Sequence, residues 1–445
     1  MFNRIKKFIA NHNILSTSQY DFREYHSTEH ALLDIINKIQ TNMDNKLFSC
    51  GIFIDLQKAF DTVDHGILLH KLNHYGVRGI VNDWFQSYLS CRSQSTQIGS
   101  VVSEKENVLC GVPQGSILGP LLFLLYVNDI QASSSKLDFF LFADDTNLLF
   151  ADKCLKTLEL IINKELENVC DWLLANKLTL NTKKSNYVLF HPRQRATANR
   201  LHIKVFDCEH NVFEHLEQKD CVKYLGVLID SNLSWQYHIN YISLKISKTI
   251  GIISRLRYVL PTSILLHIYR SLIHPYVSYG LSVWGQTSKS NLEKILILQK
   301  RALRLIYFRN NREHAIPLFV CSNILPVDML YFKSIASLMH DINNQSAPLN
   351  LINLFDRVDS VHSYRTRSAS TGKFHIKCSK LTQLSHSFSR LGCKIWNELP
   401  ESFRAKTKTS FKKCLQTRLL KLLDQEDIYV DVNTLIKNFK YQWHD

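Results

Sequence analysis

Residues 137–150 read Leu-Asp-Phe-Phe-Leu-Phe-Ala-Asp-Asp-Thr-Asn-Leu-Leu-Phe. Short apolar, aromatic-rich runs lie on both sides of Asp144 and Asp145, a pattern that predicts a buried β-hairpin. Two negative charges at the tip of a hairpin are costly, because neither carboxylate can lose its water without a partner. The pattern therefore allows two interpretations: a solvated Asp-Asp turn, or a pair of ligands that holds divalent cations together with a third carboxylate.

A third carboxylate stands near the end of another predicted strand. Residues 49–56 form a nearly continuous apolar run, typical of a strand buried on both faces, and Asp55 is the exception in it. Asp55 suits a turn or a helix cap as well as a ligand role, although unpaired buried carboxylates are rare. If the two strands are neighbours in one sheet, the three carboxylates can hold two Mg²⁺ ions, an arrangement used for in-line phosphoryl transfer.

The segments around these strands are predicted to be loops and helices. In the loop that begins at residue 110, Gly115 beside Gln114 allows a flat ligand to approach the backbone, although a plain loop–helix junction also fits. Ser116 is predicted to cap a buried helix that ends near Val127. Further helices are predicted over 1–15, 29–39, 65–74, 156–176, 239–260 and 291–308, and a strand over 223–230. Residues 178–190 are predicted to be a turn that leads into a strand; the turn carries Lys183 and Lys184, for which a solvated surface is the alternative interpretation.

Charge is distributed unevenly along the chain. Residues 1–230 have a net charge of −2 and residues 231–445 have +17, and no Asp or Glu occurs from Ser231 to Leu292. The helices predicted over 239–260 and 291–308 combine an apolar stripe with a basic face, which suits contact with a nucleic-acid backbone. A solvated basic surface is the alternative interpretation. Basic patches are also predicted at Arg365–Lys380 and Arg404–Lys413.

Composition limits the class of protein and its compartment. Hydrophobic residues make up 45% of the chain, which excludes wholesale disorder. The 11 cysteines show neither Cys-x-x-Cys nor zinc-knuckle spacing, so we expect small buried thiols in a reducing compartment. The N-terminus lacks the apolar core of a signal peptide, and the most apolar helical stretch is too short to cross a bilayer. These features predict an intracellular protein of the nucleus or cytoplasm with no membrane partner.

Five motifs follow one another along the chain: Phe53-Ile-Asp-Leu-Gln-Lys-Ala-Phe-Asp-Thr-Val-Asp-His65, Gly111-Val-Pro-Gln-Gly-Ser-Ile-Leu-Gly-Pro120, Phe142-Ala-Asp-Asp145, Leu180-Asn-Thr-Lys-Lys-Ser185 and Tyr224-Leu-Gly226. In these motifs the sequence resembles the reverse transcriptases of non-LTR (LINE-type, jockey-like) retrotransposons. The resemblance covers roughly residues 15–310, and 385–422 resembles the C-terminal segment of such elements.

The resemblance implies an α+β right-hand polymerase that copies RNA into DNA. Its antiparallel palm sheet would be followed by a helical thumb and a mostly helical C-terminal region. The implied divisions are partial fingers over 1–50, the palm with the remaining fingers elements over 51–230, the thumb over 231–310 and a basic region over 311–445. The implied partners are an RNA template, a DNA primer or target, and deoxynucleoside triphosphates.

Roles for single residues also follow from the resemblance. Asp55 and Asp144 would be the principal ligands of two Mg²⁺ ions, or of Mn²⁺, with Asp145 beside them, and Lys184 would be the general acid near the pyrophosphate. The implied nucleotide-binding residues are Arg23 of the fingers, the steric gate Phe60, and Gln114 and Gly115. The implied primer grip is Tyr224, Leu225 and Gly226.

Two departures from the family pattern keep an alternative open. Asp21 stands where the pattern has Gly, which we expect to place a negative charge beside Arg23. The chain begins inside the fingers and shows neither an endonuclease domain nor an RNase H signature, so a catalytically inactive, truncated nucleic-acid-binding remnant is the second interpretation. Another palm-type phosphotransferase, such as a nucleotide cyclase, would need Gly-Gly where Phe142 and Ala143 stand.

Overall fold

The computed structural model describes residues 1–195, 200–207, 212–361, 372–378, 387–426, 432 and 434–436. Its helices are α1 Phe2–Asn11, α2 Thr28–Asp44, α3 His65–His74, α4 Ile80–Leu89, α5 Leu118–Val127, α6 Leu155–Ala175, α7 Gln236–Leu256, α8 Thr262–Leu272, α9 His274–Ser278, α10 Leu281–Trp284, α11 Lys289–Ile306, α12 Ile316–Ser322, α13 Val327–Asn343, α14 Leu349–Ile352, α15 Val358–Val361, α16 Phe388–Glu398, α17 Glu401–Arg404 and α18 Lys408–Glu426.

The strands are mostly short. They are β1 Phe48–Ile54, β2 Ser93–Gln94, β3 Gln97–Ile98, β4 Val101–Val102, β5 Glu106–Asn107, β6 Asp138–Phe142, β7 Asp145–Asp152, β8 Asn186–Phe190, β9 Lys204–Asp207, β10 Val212–His215, β11 Glu217–Gln218, β12 Cys221–Tyr224 and β13 Val227–Asp230.

The chain forms two compact units. The first comprises Met1–Ser27 and Asn45–Asp220, and the second comprises Thr28–Asp44 and Cys221–Asp445. Helix α2 therefore belongs with the C-terminal part of the chain, where Gln40 Nε2 donates to Gln286 Oε1 at 2.7 Å. These bounds differ from the implied fingers, palm and thumb divisions, which remain a prediction.

A five-stranded sheet forms the centre of the first unit. Its strand order is β11-β8-β1-β7-β6, and every neighbouring pair is antiparallel except the short parallel pair of β11 with β8. Strand β1 is buried along nearly its whole length, as its continuous apolar run predicts. Helix α5 is apolar on all sides and lies in the core with the sheet. The first unit is thus α+β, as predicted.

Several local predictions are confirmed within this unit. Helix α3 has the predicted bounds and is capped by the preceding residue, Asp64, whose carboxylate accepts from the Ile67 N–H at 2.9 Å. Ser116 Oγ accepts from the Gly119 N–H at 2.9 Å in the first turn of α5, although the residue directly before the helix is Ile117, which makes no capping hydrogen bond. Helix α6 follows the predicted apolar spacing and packs against β7 and β9.

The second unit is mostly helical and begins with a small hairpin. The prediction of one strand over 223–230 is wrong, because β12 and β13 pair across a two-residue turn formed by Leu225 and Gly226. Both turn residues have positive φ, 43° and 81°, as a type I′ hairpin turn requires. Asp230 then accepts from the N–H groups of Ser234 and Trp235, each at 2.8 Å, and so fixes the start of α7.

Helices α7 and α11 pack together and confirm the predicted apolar stripes. Ile242, Ile246 and Ile250 of α7 are buried, as are Ile295 and Leu303 of α11. Of the two predicted basic patches in the C-terminal region, most of Arg365–Lys380 lies outside the described residues.

The cysteines differ from expectation. Cys50, Cys170 and Cys393 are buried, but others are exposed at 91, 110, 154, 321 and 378, and all the described cysteines are free thiols. The expected burial is therefore wrong for these exposed positions, since isolated cysteines carry no periodic signal of the face they occupy. Within the described residues, no single helix is both long and apolar enough to cross a membrane, and only α12 with α13, bent by 45°, passes that test as a pair.

Candidate active site

The acidic hairpin forms the edge of the central sheet in the first unit. Phe142 pairs with Asp145, so Ala143 and Asp144 form the turn between β6 and β7. Ala143 has a φ of 51°, an uncommon conformation for a residue other than glycine, asparagine or aspartate. The turn presents Asp144 to solvent while Phe139, Phe140 and Leu141 stay buried behind it.

Strand register brings Asp55 to the same place. Ile54 of β1 pairs with Thr146 of β7, and continuing this register sets Asp55 opposite Asp145. Directly opposed residues of an antiparallel pair project to the same face of the sheet. Burial, together with the charges of Asp144 and Asp55, raises the pKa of Asp145 to about 6. The three predicted carboxylates therefore lie close enough to repel one another.

The segment after α6 holds the backbone of Asp55 in place. The Asn181 N–H donates to the Asp55 carbonyl at 2.8 Å, and the Asp55 N–H donates to Ser185 Oγ at 3.1 Å. Lys184 Nζ lies 3.7 Å from Asp55 Oδ2, with both side chains open to solvent. The predicted general acid thus lies beside a predicted metal ligand. The hydrogen bonds of Ser185 and Asn181 to this backbone could not be predicted, because such bonds leave no signal in the spacing of residues.

Phe60 and the glycine-rich loop form a second group of predicted residues. The ring of Phe60 stacks on Phe123 of α5, with centroids 4.3 Å apart, and remains partly exposed. The loop is fixed beside it, since Gln114 Nε2 donates to Asp61 Oδ1 at 2.8 Å. A Cβ at Gly111 would meet the Asp61 carbonyl oxygen at 2.7 Å, so this close approach requires glycine.

Gly115 differs from Gly111 because nothing occupies the space beside it. It has a φ of 80°, and no atom lies within 4 Å of the position that a Cβ would take. Glycine is therefore required at position 115 by the backbone conformation. The open space beside it is consistent with the predicted approach of a flat ligand.

The N-terminal segment lies along the free edge of the hairpin. Gln19 bridges Leu141 in parallel, and the Tyr20 N–H donates to the Leu141 carbonyl at 2.9 Å. Continuing this register carries Asp21 towards the turn. Burial raises the pKa of Asp21, a hydrogen bond from the Phe22 N–H opposes that rise, and the negative charge of Asp144 adds to it. Asp21 is therefore a fourth carboxylate near the acidic turn.

Arg23 makes different contacts from those expected of a nucleotide-binding arginine. Its guanidinium donates to the backbone carbonyls of Ser16 and Gln19 and is half-buried. It lines a pocket of about 530 Å³ together with residues of α1, among them Lys6 and Lys7. The sequence pattern gave the presence of Arg23 but not the carbonyls that hold it.

The predicted primer grip belongs to the second unit. Tyr224 is buried in the β12–β13 hairpin, and the Tyr279 hydroxyl donates to the Leu225 carbonyl at 2.7 Å. A Cβ at Gly226 would meet the Tyr279 ring at 3.1 Å. The turn is thus held both by its positive φ values and by one aromatic side chain.

Comparison with known proteins assigns this arrangement to a family. The profile described as "Reverse transcriptase (RNA-dependent DNA polymerase)" matches residues 1–229, which is more than half of the chain. The chain belongs to the reverse transcriptase family. The match contains Asp55, Asp144, Asp145 and Lys184. Membership in this family confirms the resemblance on which the predicted roles depend, and those roles remain predictions.

Several proteins from mobile elements are similar in sequence to this reverse transcriptase. The chain is 29% identical over 330 residues to the probable RNA-directed DNA polymerase from transposon X-element of Drosophila melanogaster, covering 70% of this chain and 34% of that protein. It is 28% identical over 298 residues to the RNA-directed DNA polymerase from mobile element jockey of the same species, covering 65% and 31%. The chain thus spans about a third of the length of these relatives.

Two telomerase structures align with this chain at low similarity. The structure of apo telomerase from Candida tropicalis aligns with 78% of this chain and 58% of the telomerase chain, at a TM-score of 0.38 and 10% sequence identity. The structure of telomerase from Candida albicans with a fragment of telomeric RNA aligns at a TM-score of 0.34 and 12% identity, covering 74% and 54%.

The donor atoms of this family member suit a hard divalent cation. Magnesium prefers carboxylate oxygens, and the mutual repulsion of Asp55, Asp144 and Asp145 is the electrostatic state that a cation would relieve. Among the residues that the structure describes, however, no three His, Cys, Asp or Glu side chains are arranged to hold a metal ion. The chemistry of the donor set therefore fits a divalent cation, and the structure gives no coordination geometry.

Proposed function

We propose that this chain carries the catalytic centre of an RNA-directed DNA polymerase from a non-LTR retrotransposon. Its substrates would be an RNA template, a DNA primer 3′-hydroxyl and deoxynucleoside triphosphates. The observation that carries the proposal is the strand register that sets Asp55 opposite Asp145 beside the Asp144 turn, within the segment matched to the family. The regular arrangement of two adjacent strands explains why residues about 90 positions apart meet.

Each group of residues would perform a separate part of the reaction. Asp55, Asp144 and Asp145 would hold two divalent cations, and such ions lower the pKa of the attacking hydroxyl and neutralise the leaving pyrophosphate. Lys184 would supply a proton to the pyrophosphate, and its ammonium group lies beside Asp55. Phe60 would exclude a ribose 2′-hydroxyl, because its ring is fixed against Phe123 and cannot swing away without losing that contact.

Primer extension tests the proposal directly. The purified chain, an RNA template with an annealed DNA primer, deoxynucleotides and Mg²⁺ should give extended product. Asp144→Asn should reduce the rate by more than about 100-fold, because loss of even an indirect partner of a metal ligand costs about 10–100-fold. Asp171→Asn, an exposed carboxylate of α6, is the matched control and should leave the rate unchanged. Equal extension by the parent and Asp144→Asn proteins would refute the metal role.

A non-catalytic nucleic-acid-binding protein is the second candidate function. The contacts of Arg23 favour it, since backbone carbonyls already occupy the guanidinium that would bind a triphosphate. Asp21 favours it too, because a fourth negative charge near Asp144 repels phosphate. This candidate predicts salt-sensitive binding of RNA or DNA without incorporation of nucleotides, so the extension assay separates the two functions.

A further inference from the structure

Two exposed aromatic rings and an arginine form a patch where the C-terminal ends of α7 and α11 meet. Tyr258 is 72% exposed and Phe308 is 53% exposed. Their ring centroids lie 5.9 Å apart. The guanidinium carbon of Arg257 lies 4.6 Å from the Tyr258 centroid and 5.5 Å from the Phe308 centroid. We call Arg257, Tyr258 and Phe308 the aromatic patch.

The backbone at Phe308 indicates that its exposed ring is not incidental. Helix α11 ends in a Schellman motif, in which the Arg309 N–H donates to the Arg304 carbonyl at 2.8 Å and the Phe308 N–H donates to the Leu305 carbonyl at 3.4 Å. Phe308 occupies the position where glycine is usual and has a φ of 55°. Left-handed backbone is unfavourable for an aromatic residue, yet the ring is not buried in return.

The surroundings of the patch are basic. No acidic residue occurs from Ser231 to Leu292, and Arg255 and Arg309 are exposed on either side of the patch. Glu313 is the acidic residue that the structure places beside it, where its carboxylate lies 3.7 Å from Arg309 Nε. Among the described residues Arg257 forms no ion pair, and its guanidinium contacts the two rings and donates to the Tyr258 hydroxyl.

We propose that the aromatic patch binds single-stranded nucleic acid by stacking unpaired bases on its rings. Exposed aromatic rings next to an arginine that has no carboxylate partner are the combination that recognises base faces together with a phosphate backbone. Duplex nucleic acid hides its base faces within the stack and offers only phosphates to such a surface. The patch therefore favours an unpaired strand over a duplex. This inference goes beyond the proposed polymerase function and does not require catalysis.

Binding of a fluorescein-labelled 12-nucleotide strand to the full chain, in EDTA without nucleotides, tests this inference. RNA and DNA of the same sequence are compared, each single-stranded and as a duplex. Tyr258→Ala and Phe308→Asn should each weaken single-strand binding by about 5-fold to about 150-fold, as expected for the loss of one base stack. Duplex binding should stay within twofold of the parent. A 2-aminopurine base in the strand should be quenched by the parent and less by the variants.

The choice of variants separates binding from folding. Phe308→Asn places a residue that tolerates positive φ at the end of α11, so the variant should unfold no more readily than the parent. Tyr237→Ala is the matched control, because Tyr237 is 54% exposed at the other end of α7, roughly 30 Å away along the helix. Arg257→Gln should reduce the slope of log affinity against log salt by about 0.7, whereas the two ring variants should leave it unchanged.

Two outcomes would overturn the inference. One is single-strand affinity of Tyr258→Ala and Phe308→Asn within twofold of the parent. The other is an equal loss of affinity in Tyr237→Ala. Failure of the proposed polymerase function would appear instead as absent primer extension with strand binding and quenching intact, so the two failures are distinguishable.

Discussion

Neutralising Asp145 should make the protein more stable while it removes activity. The pKa of Asp145 is about 6, against an ordinary value of 3.8, because of burial and the charges of Asp144 and Asp55. A tenfold change in proton affinity is worth about 1.4 kcal/mol, so the difference corresponds to at most about 3 kcal/mol. Part of Asp145 faces solvent, and screening reduces the expected effect to about 1 kcal/mol.

The sign of the effect follows from proton binding. Between pH 3.8 and about 6 the folded protein binds more protons at this site than the unfolded chain, so the stability of the folded state falls as pH rises through that window. The loss of folding stability caused by ionised Asp145 is fully present above about pH 6 and absent below pH 3.8. Asp145→Asn removes it. The variant should therefore gain about 1 kcal/mol at pH 7.5 and about half of that at pH 5.

Thermal unfolding measures this gain. In EDTA at pH 7.5, Asp145→Asn should melt about 2–4 °C above the parent, the shift expected for about 1 kcal/mol in a unit of this size. Asp171→Asn should show no such gain. Added Mg²⁺ should raise the melting temperature of the parent more than that of Asp145→Asn. A variant that melts at or below the parent, or a gain that is equal at pH 5 and pH 7.5, would refute the reasoning.

Three further predictions concern single side chains. In primer extension, Phe60→Val should raise incorporation of ribonucleotides relative to deoxynucleotides by about 10-fold or more. Removing a steric clash of about 1–2 kcal/mol changes the discrimination between the two sugars by that factor. Unchanged sugar selection would exclude Phe60 as the steric gate. Asp21→Gly should lower the KM for deoxynucleotides a few-fold, with a larger effect at low Mg²⁺, because one phosphate-repelling charge leaves the acidic turn; a higher KM would contradict this. Gly226→Ala should lower the free energy of unfolding by about 1–2 kcal/mol, because φ at this position is positive. In the same urea titration, Gly251→Ala should raise it by about 1 kcal/mol, because Gly251 lies in mid-helix with open space around it. Equal effects would argue against backbone strain at the Leu225–Gly226 turn.

Local elements of this fold could be predicted because their signals are local. The hairpin of β6 and β7, helix α3 and the stripes of α7 follow from alternation, capping residues and helical spacing. The Leu225–Gly226 turn could not be predicted, because leucine is an unusual residue for positive φ and the apolar run around it is typical of one continuous strand.

Long-range pairing explains what the sequence could not predict. Placing Asp21 near Asp144 depends on the parallel bridge between Gln19 and Leu141, which joins residues 122 positions apart. The expectation that Asp21 places a negative charge beside Arg23 came from sequence adjacency. In the structure, burial is the largest cause of the raised pKa of Asp21 and the charge of Asp144 adds to it, while Arg23 is held by backbone carbonyls. Motif adjacency is thus a poor guide to which charges meet.

Positive φ at residues other than glycine occurs in both units of this chain. Ala143 lies in the acidic turn, Leu225 in the predicted primer grip, and Phe308 in the aromatic patch. Each conformation is unfavourable for its side chain, so surrounding hydrogen bonds and packing must hold it. At all three positions glycine would relieve the strain but would leave the turn more flexible. A rigid turn fixes the direction of the neighbouring carboxylate or ring, and that is the property that the proposed metal binding, primer positioning and base stacking would each need.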